Sequence, residues 1–297
     1  MKSIVTGGCG FIGSHLVDRL ISLGHEVIII DNLSAEYNEE FYFNDGALYF
    51  NYDICDYEST RPLYDNVDFV FHLAAESRLQ PAILNPIKAM EKNVVGTCTV
   101  LQCAKEAMVK VIVYSSTSSG YGLNEYPNVE TQDDDCLNPY SVSKIAGEKL
   151  CKMYTDLYGL KTITFRYFNV YGERSPSKGQ YALVLGIFKR QKELEQQLTL
   201  VGDGSQRRDF IHVDDVVSAN ILAITNTLDL EYYGQVYNIG SGSNISIKEI
   251  ADSLSDNQVF IDSRVGEMHT TLANIDKVKN KLGWYPTINV IDWIKNL

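Results

Sequence analysis

Apolar residues in this chain fall in short runs, separated by stretches whose apolar positions recur at helical spacing. Residues 2–6, 25–30, 47–51, 68–73, 110–115 and 161–166 are near-continuous runs rich in Val, Ile and Phe. Such runs suit strands covered on both faces of a sheet. Residues 12–23, 86–108 and 139–158 read as helices, and Gly24, Gly46 and Gly159 mark the ends of elements. Strand and helix in alternation predict an α/β architecture, a Rossmann-type doubly wound parallel sheet. Beyond Tyr171 the order changes. Residues 172–179 are polar and loop-like, a helix resumes over 181–195, and short strands at 198–201 and 235–239 mix with helices at 213–224, 246–254 and 275–282. That pattern predicts a smaller α/β lobe over the sheet's carboxyl edge.

Composition narrows the function classes. Of 297 residues, 45% are hydrophobic and 22% charged, the mix of a globular protein rather than a disordered or repetitive one. The balance of 26 basic against 38 acidic residues gives −12, which argues against nucleic acid and anionic membrane as partners but leaves room for a local anion site. No apolar run approaches a membrane span, and the N-terminus carries no cleavable signal pattern, so a cytoplasmic protein is expected. The six cysteines (Cys9, Cys55, Cys98, Cys103, Cys136, Cys151) contain no C-x-x-C pair and the five histidines no metal spacing, so neither disulfides nor a metal are expected. Asp133–Asp135 reads as a solvated loop.

Gly7, Gly8, Gly10 and Gly13 fall between the first strand and the first helix. Glycine there lets the backbone turn tightly and admits a pyrophosphate to the amides at the helix start. Asp31 ends the second strand, 18 residues after Gly13, where an acid grips ribose hydroxyls and disfavours a 2′-phosphate. The expected cofactor is therefore NAD. The competing reading is a plain glycine turn with Asp31 capping the next segment. Asp53, after the third strand, suits either an adenine contact or a loop cap.

Tyr140 and Lys144 stand four apart in a helical stretch and so share a face. A neighbouring cation favours the ionised form of a phenol, which makes the pair a base near neutral pH. Alone, such spacing reads as a surface pair. The strand at 110–115, running into Ser116, Thr117, Ser118 and Ser119, sets hydroxyls at the sheet's carboxyl edge, where ligands bind in this architecture.

With these motifs the chain resembles the extended short-chain dehydrogenase/reductase family, in particular its NAD-dependent nucleotide-sugar epimerases and dehydratases, and among them the UDP-hexose 4-epimerases. The resemblance spans nearly the whole chain through Thr6-Gly7-Gly8-Cys9-Gly10-Phe11-Ile12-Gly13, His72-Leu73-Ala74-Ala75, Asn93-Val94-Val95-Gly96-Thr97, Tyr140 with Lys144, Arg166-Tyr167-Phe168-Asn169-Val170-Tyr171-Gly172, Arg208-Asp209-Phe210-Ile211-His212-Val213-Asp214-Asp215 and Leu282-Gly283-Trp284. It implies an NAD-binding domain over residues 1–171, and a lobe over 172–297 that mainly holds the nucleotide sugar, with some segments returning to the first domain. Cofactor contacts are implied for Gly7, Gly10, Phe11, Ile12, Gly13, Asp31, Asn32, Asp53, Ile54, Leu73, Ala74, Ala75, Asn93, Tyr140, Lys144 and Tyr167.

By the same resemblance Tyr140 takes the proton of the sugar's C4 hydroxyl while the C4 hydride passes to NAD. Lys144 holds the nicotinamide ribose and lowers the Tyr140 pKa, and Thr117 orders the hydroxyl. Dehydratases carry an acidic pair after this threonine and decarboxylases a glutamate; here the positions hold Ser118 and Ser119. The implied reaction is 4-epimerisation through a transient 4-keto sugar. The segment Ala75-Glu76-Ser77 echoes the dehydratases, so a 4,6-dehydratase or decarboxylase is the alternative, and a non-catalytic NAD sensor an alternative of another class. Asn169, Ala182, Leu183, Val201, Arg208, Arg264 and Thr271 are implied substrate contacts, the two arginines at the diphosphate. Thr271 stands where epimerases restricted to glucose and galactose carry a tyrosine, so N-acetylated UDP-hexoses are expected beside UDP-glucose and UDP-galactose. Helices 86–108 and 139–158 match those that form a four-helix homodimer interface.

Overall fold

The first-half strands alternate their side chains between two apolar layers, which explains why they read as unbroken apolar runs. The computed structural model describes residues 1–35, 38–177, 182–225, 229–262 and 269–296. Its central sheet has seven parallel strands in the order Gln235–Ile239, Thr162–Tyr167, Val111–Thr117, Phe69–His72, Lys2–Thr6, Glu26–Ile30, Ala47–Phe50. Val5, Ile29, Phe71, Val113 and Phe165 face one layer, with helices Phe11–Ser22 and Val213–Thr225. Ile4, Ile28, Val70 and Ile112 face the other, with helices Gly96–Glu106 and Pro139–Tyr158. Chain order reverses between Lys2–Thr6 and Phe69–His72, so a crevice opens at their carboxyl ends, the usual ligand position in such sheets.

The six early strands lie within a residue or two of their expected bounds. The expected helix over 86–108 is Pro86–Met90 and Gly96–Glu106 joined by a π-helical turn at Glu91–Val95. Of the expected helix over 181–195, residues Val184–Glu193 are helical, and Tyr181 lies outside the described residues.

The helix Pro139–Tyr158 starts and stops on local chemistry. Asn138 and Ser141 cap each other's amides, Pro139 supplies the first helical φ, and Gly159 closes it in the left-handed region at φ 70°. Beyond it, Gln235–Ile239 joins the main sheet, while Tyr171, Leu185, Phe188, Leu198, Leu200, Phe210, Ile250 and Ile294 form a third apolar cluster. Short strand pairs link this region: Asn169–Tyr171 with Phe210–His212, Arg207–Arg208 with Ile245–Ser246, and Leu198–Val201 with Gln258–Ile261; of these strands only Leu198–Val201 is expected from the sequence. Most of these strands are too short to show a period.

Candidate functional site

A cleft of about 1170 Å³ runs from the glycine loop at the sheet's carboxyl edge into the second lobe. Gly7, Gly10, Phe11, Ile12 and Gly13 line one end. Gly7 holds φ +71°, and a Cβ there would stand 2.7 Å from the Ala74 amide nitrogen; one on Gly13 would stand 2.1 Å from the Gly7 carbonyl oxygen. A Cβ on Gly10 would meet nothing nearer than 3.4 Å, so the loop closes tightly on itself and leaves an open face toward the cleft. Gly10 caps helix Phe11–Ser22 with no side chain bonded to its first amides. Such a helix start offers free N–H groups and the positive end of the dipole to an anion.

Asp31, Asn32, Asp53 and Ile54 line the same end. Asp31 accepts the Cys9 amide at 3.0 Å and the Leu33 amide at 2.9 Å, which fixes its carboxylate and leaves lone pairs for two hydroxyls. Asp53 accepts from Lys92 Nζ at 2.7 Å, Asn32 Nδ2 at 3.3 Å and the Cys55 amide at 2.9 Å, so it acts as a cap and ion-pair partner while still facing the cleft. Leu73, Ala74 and Ala75 continue the wall, pinned by the Leu73 amide on the Thr6 carbonyl and the Ala74 amide on Thr6 Oγ1. These features fit a dinucleotide: a cradle that excludes side chains, a helix start for the pyrophosphate, and an oriented acid for a ribose.

Asn93 is placed differently from the expectation of a cofactor contact. It is buried and does not line the cleft. Its amide donates to Ser143 Oγ at 2.8 Å and the Glu76 carbonyl at 3.0 Å, and accepts the Glu76 amide at 2.7 Å. Asn93, on the π-helical turn, therefore ties the cleft wall to the helix of Tyr140 and has no donor left for a ligand.

Thr117, Tyr140, Lys144 and Tyr167 meet in the middle of the cleft. Thr117 Oγ1 accepts the Ser119 amide and donates to Ser119 Oγ, both at 3.1 Å. Tyr167, buried behind, accepts on its hydroxyl from Ser115 Oγ at 3.2 Å and Asn220 Nδ2 at 2.8 Å. Tyr140 sits in the first turn of its helix, where the dipole favours a phenolate. Burial nevertheless pushes its pKa up, and the groups drawing it back are a hydrogen bond with Thr117 and the charge of Arg78. Lys144, expected to lower the Tyr140 pKa, is not among those groups. The Lys144 ammonium lies 4.6 Å from the centroid of the Tyr114 ring, and burial lowers its own pKa to about 8, opposed by Cys151 and Glu148.

Behind this wall Glu148 accepts from Arg166 Nε at 2.8 Å and Nη2 at 2.7 Å, and from Ser116 Oγ at 2.5 Å. That buried fork joins the strand before Thr117 to the helix of Lys144, and sequence reasoning missed it. Its position four residues after Lys144, on the same helix face, was the available signal. Arg78, on the cleft wall beyond Ala75, was missed as well; its place in the loop after a sheet strand would have flagged it.

Asn169, Ala182, Leu183, Val201, Arg208 and Thr271 line the lobe end of the cleft. Asn169 Nδ2 donates to the Asp209 carbonyl at 2.9 Å and Thr271 Oγ1 at 3.1 Å, so only its side-chain oxygen faces further partners, an acceptor for a hydroxyl rather than a donor for a phosphate. Thr271 Oγ1 also accepts the Asp209 amide at 3.1 Å. Arg208 Nη1 donates to the Arg207 and His269 carbonyls, each at 3.0 Å. Arg264 lies outside the described residues.

Comparison with known proteins agrees with this geometry. The model of the NAD dependent epimerase/dehydratase family matches residues 3–240. A putative UDP-glucose 4-epimerase of Methanocaldococcus jannaschii is 35% identical over 309 residues, covering 99% of this chain and 98% of that protein. A UDP-N-acetyl-alpha-D-glucosaminuronate decarboxylase of Bacillus cytotoxicus is 38% identical over 264 residues, covering 85% of this chain and 79% of that one. Among solved structures, the UDP-glucose 4-epimerase of Thermotoga maritima with UDP-glucose superposes with a TM-score of 0.92 at 31% identity, covering 99% of this chain and 96% of that one.

Proposed function

The chain belongs to the NAD-dependent epimerase/dehydratase family, whose cofactor is NAD, and from that premise we propose that it interconverts the C4 epimers of UDP-hexoses: UDP-glucose with UDP-galactose, and their N-acetylated counterparts. The observation that carries this reading is the joint presence of Thr117, Tyr140 and Lys144 on one cleft wall with serines, not acids, after Thr117.

NAD, when bound, supplies the reversible two-electron oxidation of the sugar's C4. The residues supply the rest. Tyr140 takes the C4 hydroxyl proton and returns it, helped by its helix terminus, by Thr117 and by the guanidinium of Arg78. Lys144 holds the cofactor ribose from its seat on Tyr114. Elimination or decarboxylation would call for an acid placed after Thr117, and the Ser118 and Ser119 hydroxyls cannot do that work near neutral pH. Glu76, a carboxylate that also lines the cleft, is paired with Lys88 at 3.2 Å. The M. jannaschii and T. maritima relatives, described as UDP-glucose 4-epimerases, support the same choice.

Residues 1–171 hold the cofactor in this reading, and 172–297 mainly the nucleotide sugar. Asn169 accepts from a sugar hydroxyl and Arg208 meets the diphosphate. Thr271, small and with its hydroxyl engaged by Asn169 and Asp209, leaves space for an N-acetyl group. Leu84, Ile87, Val95, Val142 and Leu157 are exposed on or beside the two long helical stretches, which supports a homodimer through them.

The test is product analysis by NMR of purified protein with NAD and UDP-galactose, UDP-glucose or UDP-N-acetylglucosamine. Formation of the C4 epimer without net NADH is expected. A 4-keto-6-deoxy product or released CO2 refutes the epimerase reading, and inert UDP-N-acetylglucosamine beside reactive UDP-galactose refutes the Thr271 argument.

A further inference from the structure

Arg78 is a cation on the wall of the cleft, near enough to Tyr140 and Glu76 to feel their charge, and no carboxylate among the described residues is ion-paired with it. Its side chain is partly buried, and no hydrogen bond or ion pair holds its guanidinium among the described residues. The carboxylates that share the cleft wall are engaged elsewhere. Asp31 takes two backbone amides, Asp53 takes Lys92, and Glu76 takes Lys88 at 3.2 Å. The base of Arg78 is rigid, because Asn93 clamps both backbone groups of Glu76 two residues earlier. The side chain also does no capping work for helix Leu79–Leu84, which follows it. A guanidinium drawn out of water without a partner is costly, so its retention points to an anion brought by a ligand.

Geometry of the sugar says which anion. C4 must stand at Tyr140 for its hydroxyl proton to be taken. The diphosphate leaves C1, across the ring from C4, and so falls toward the second lobe and Arg208 rather than toward Arg78. C6 hangs from C5, the ring atom beside C4, so a charge at C6 is the sugar charge closest to Tyr140. Resting on the epimerase reading above, we propose that Arg78 receives a C6 carboxylate through its planar fork, so that UDP-hexuronates are substrates of this same site. The guanidinium matches a carboxylate bidentately, which lysine does not. The phenolate form of Tyr140 and the bound carboxylate then share one cation, and Arg78 serves both specificity and orientation.

The experiment measures kcat/KM of the NAD-loaded enzyme for UDP-glucuronate and UDP-glucose, in the wild type and in Arg78→Met and Arg78→Lys, with epimer formation followed by NMR. Wild type is expected to epimerise UDP-glucuronate. In Arg78→Met the ratio of UDP-glucuronate to UDP-glucose kcat/KM should fall by about 10- to 100-fold, the usual worth of a charged fork, and Arg78→Lys should restore part of it. As a second readout that needs no turnover of the acid, the inhibition constant of UDP-glucuronate against UDP-galactose epimerisation should rise by a similar factor in Arg78→Met. A ratio unchanged while both rates fall together overturns the proposal and leaves Arg78 acting on Tyr140 alone. A loss of NAD affinity with the ratio unchanged overturns it too. Failure of the wild type to epimerise any UDP-sugar would instead refute the epimerase reading on which the proposal stands.

Discussion

Lys144 is held as a cation where a cation is unwelcome, so removing it should strengthen the fold while destroying activity. Its side chain is 4% exposed, and burial lowers its pKa from 10.5 to about 8. At about 1.4 kcal/mol per pKa unit, keeping the ammonium charged costs the folded state about 3 kcal/mol at pH 7. The contact with the Tyr114 ring, 4.6 Å from its centroid, returns about 1 kcal/mol of that. Lys144→Met fills similar volume without the charge, so the NAD-free variant should be more stable than wild type by about 2 kcal/mol at pH 7, or about 4 °C in Tm. The pH dependence follows from the two protonation states. Below pH 8 the lysine is charged in both folded and unfolded chains, and the penalty is full. Between about 8 and 10.5 the folded state has released its proton and the unfolded state has not, so wild-type stability rises with pH and the gap to the variant closes. Urea denaturation of both proteins without NAD, at pH 7 and pH 9.5, reads this directly. A variant less stable than wild type at pH 7, with a gap that does not change with pH, would refute the argument and mean that Tyr114 and Glu148 more than compensate the buried charge.

Two substitutions test the supports around the site. Gly13→Ala places a Cβ 2.1 Å from the Gly7 carbonyl oxygen and 2.8 Å from the Gly8 Cα, so the loop must open. NAD affinity should fall by about 100-fold, since pyrophosphate contact depends on that close turn, and calorimetry finding less than a threefold change would count against the cradle. Glu148→Gln keeps one oxygen that can accept from Ser116 and Arg166 Nε, but it removes the negative charge and turns an NH2 group toward Arg166 Nη2, which breaks the fork. Unpairing a buried charge costs about 3–5 kcal/mol, and a loss below 1 kcal/mol in urea denaturation would show that Asp134, 2.8 Å from Arg166 Nη2, carries the charge instead.

Wherever one short stretch dictates one local geometry, the sequence was sufficient. Continuous Val/Ile/Phe runs fix strands covered on both faces. The Asn138, Pro139 and Gly159 signals fix the bounds of the helix that carries Tyr140 and Lys144, and Gly7 and Gly13 fix a turn that no larger residue could form. The same locality put Thr117, Tyr140 and Lys144 on the list of candidates, since spacing along one strand and one helix decides which way they can share a face. Tertiary structure decided everything that depends on partners far away in the chain. Asn93 reads as a cofactor contact in its motif, yet its amide is spent on Glu76 and Ser143, 17 and 50 residues away. Spacing sets Lys144 beside Tyr140, and it takes packing to seat the ammonium on the Tyr114 ring and to bring Thr117 and Arg78 to Tyr140. Arg78 carries no motif at all, and what sets it apart is that the neighbouring carboxylates are already engaged. Spacing fixes backbone form and facing, whereas burial and hydrogen-bond saturation are sums over the whole fold. A residue's charge state and its freedom to meet a ligand are therefore settled only when the chain has closed around it.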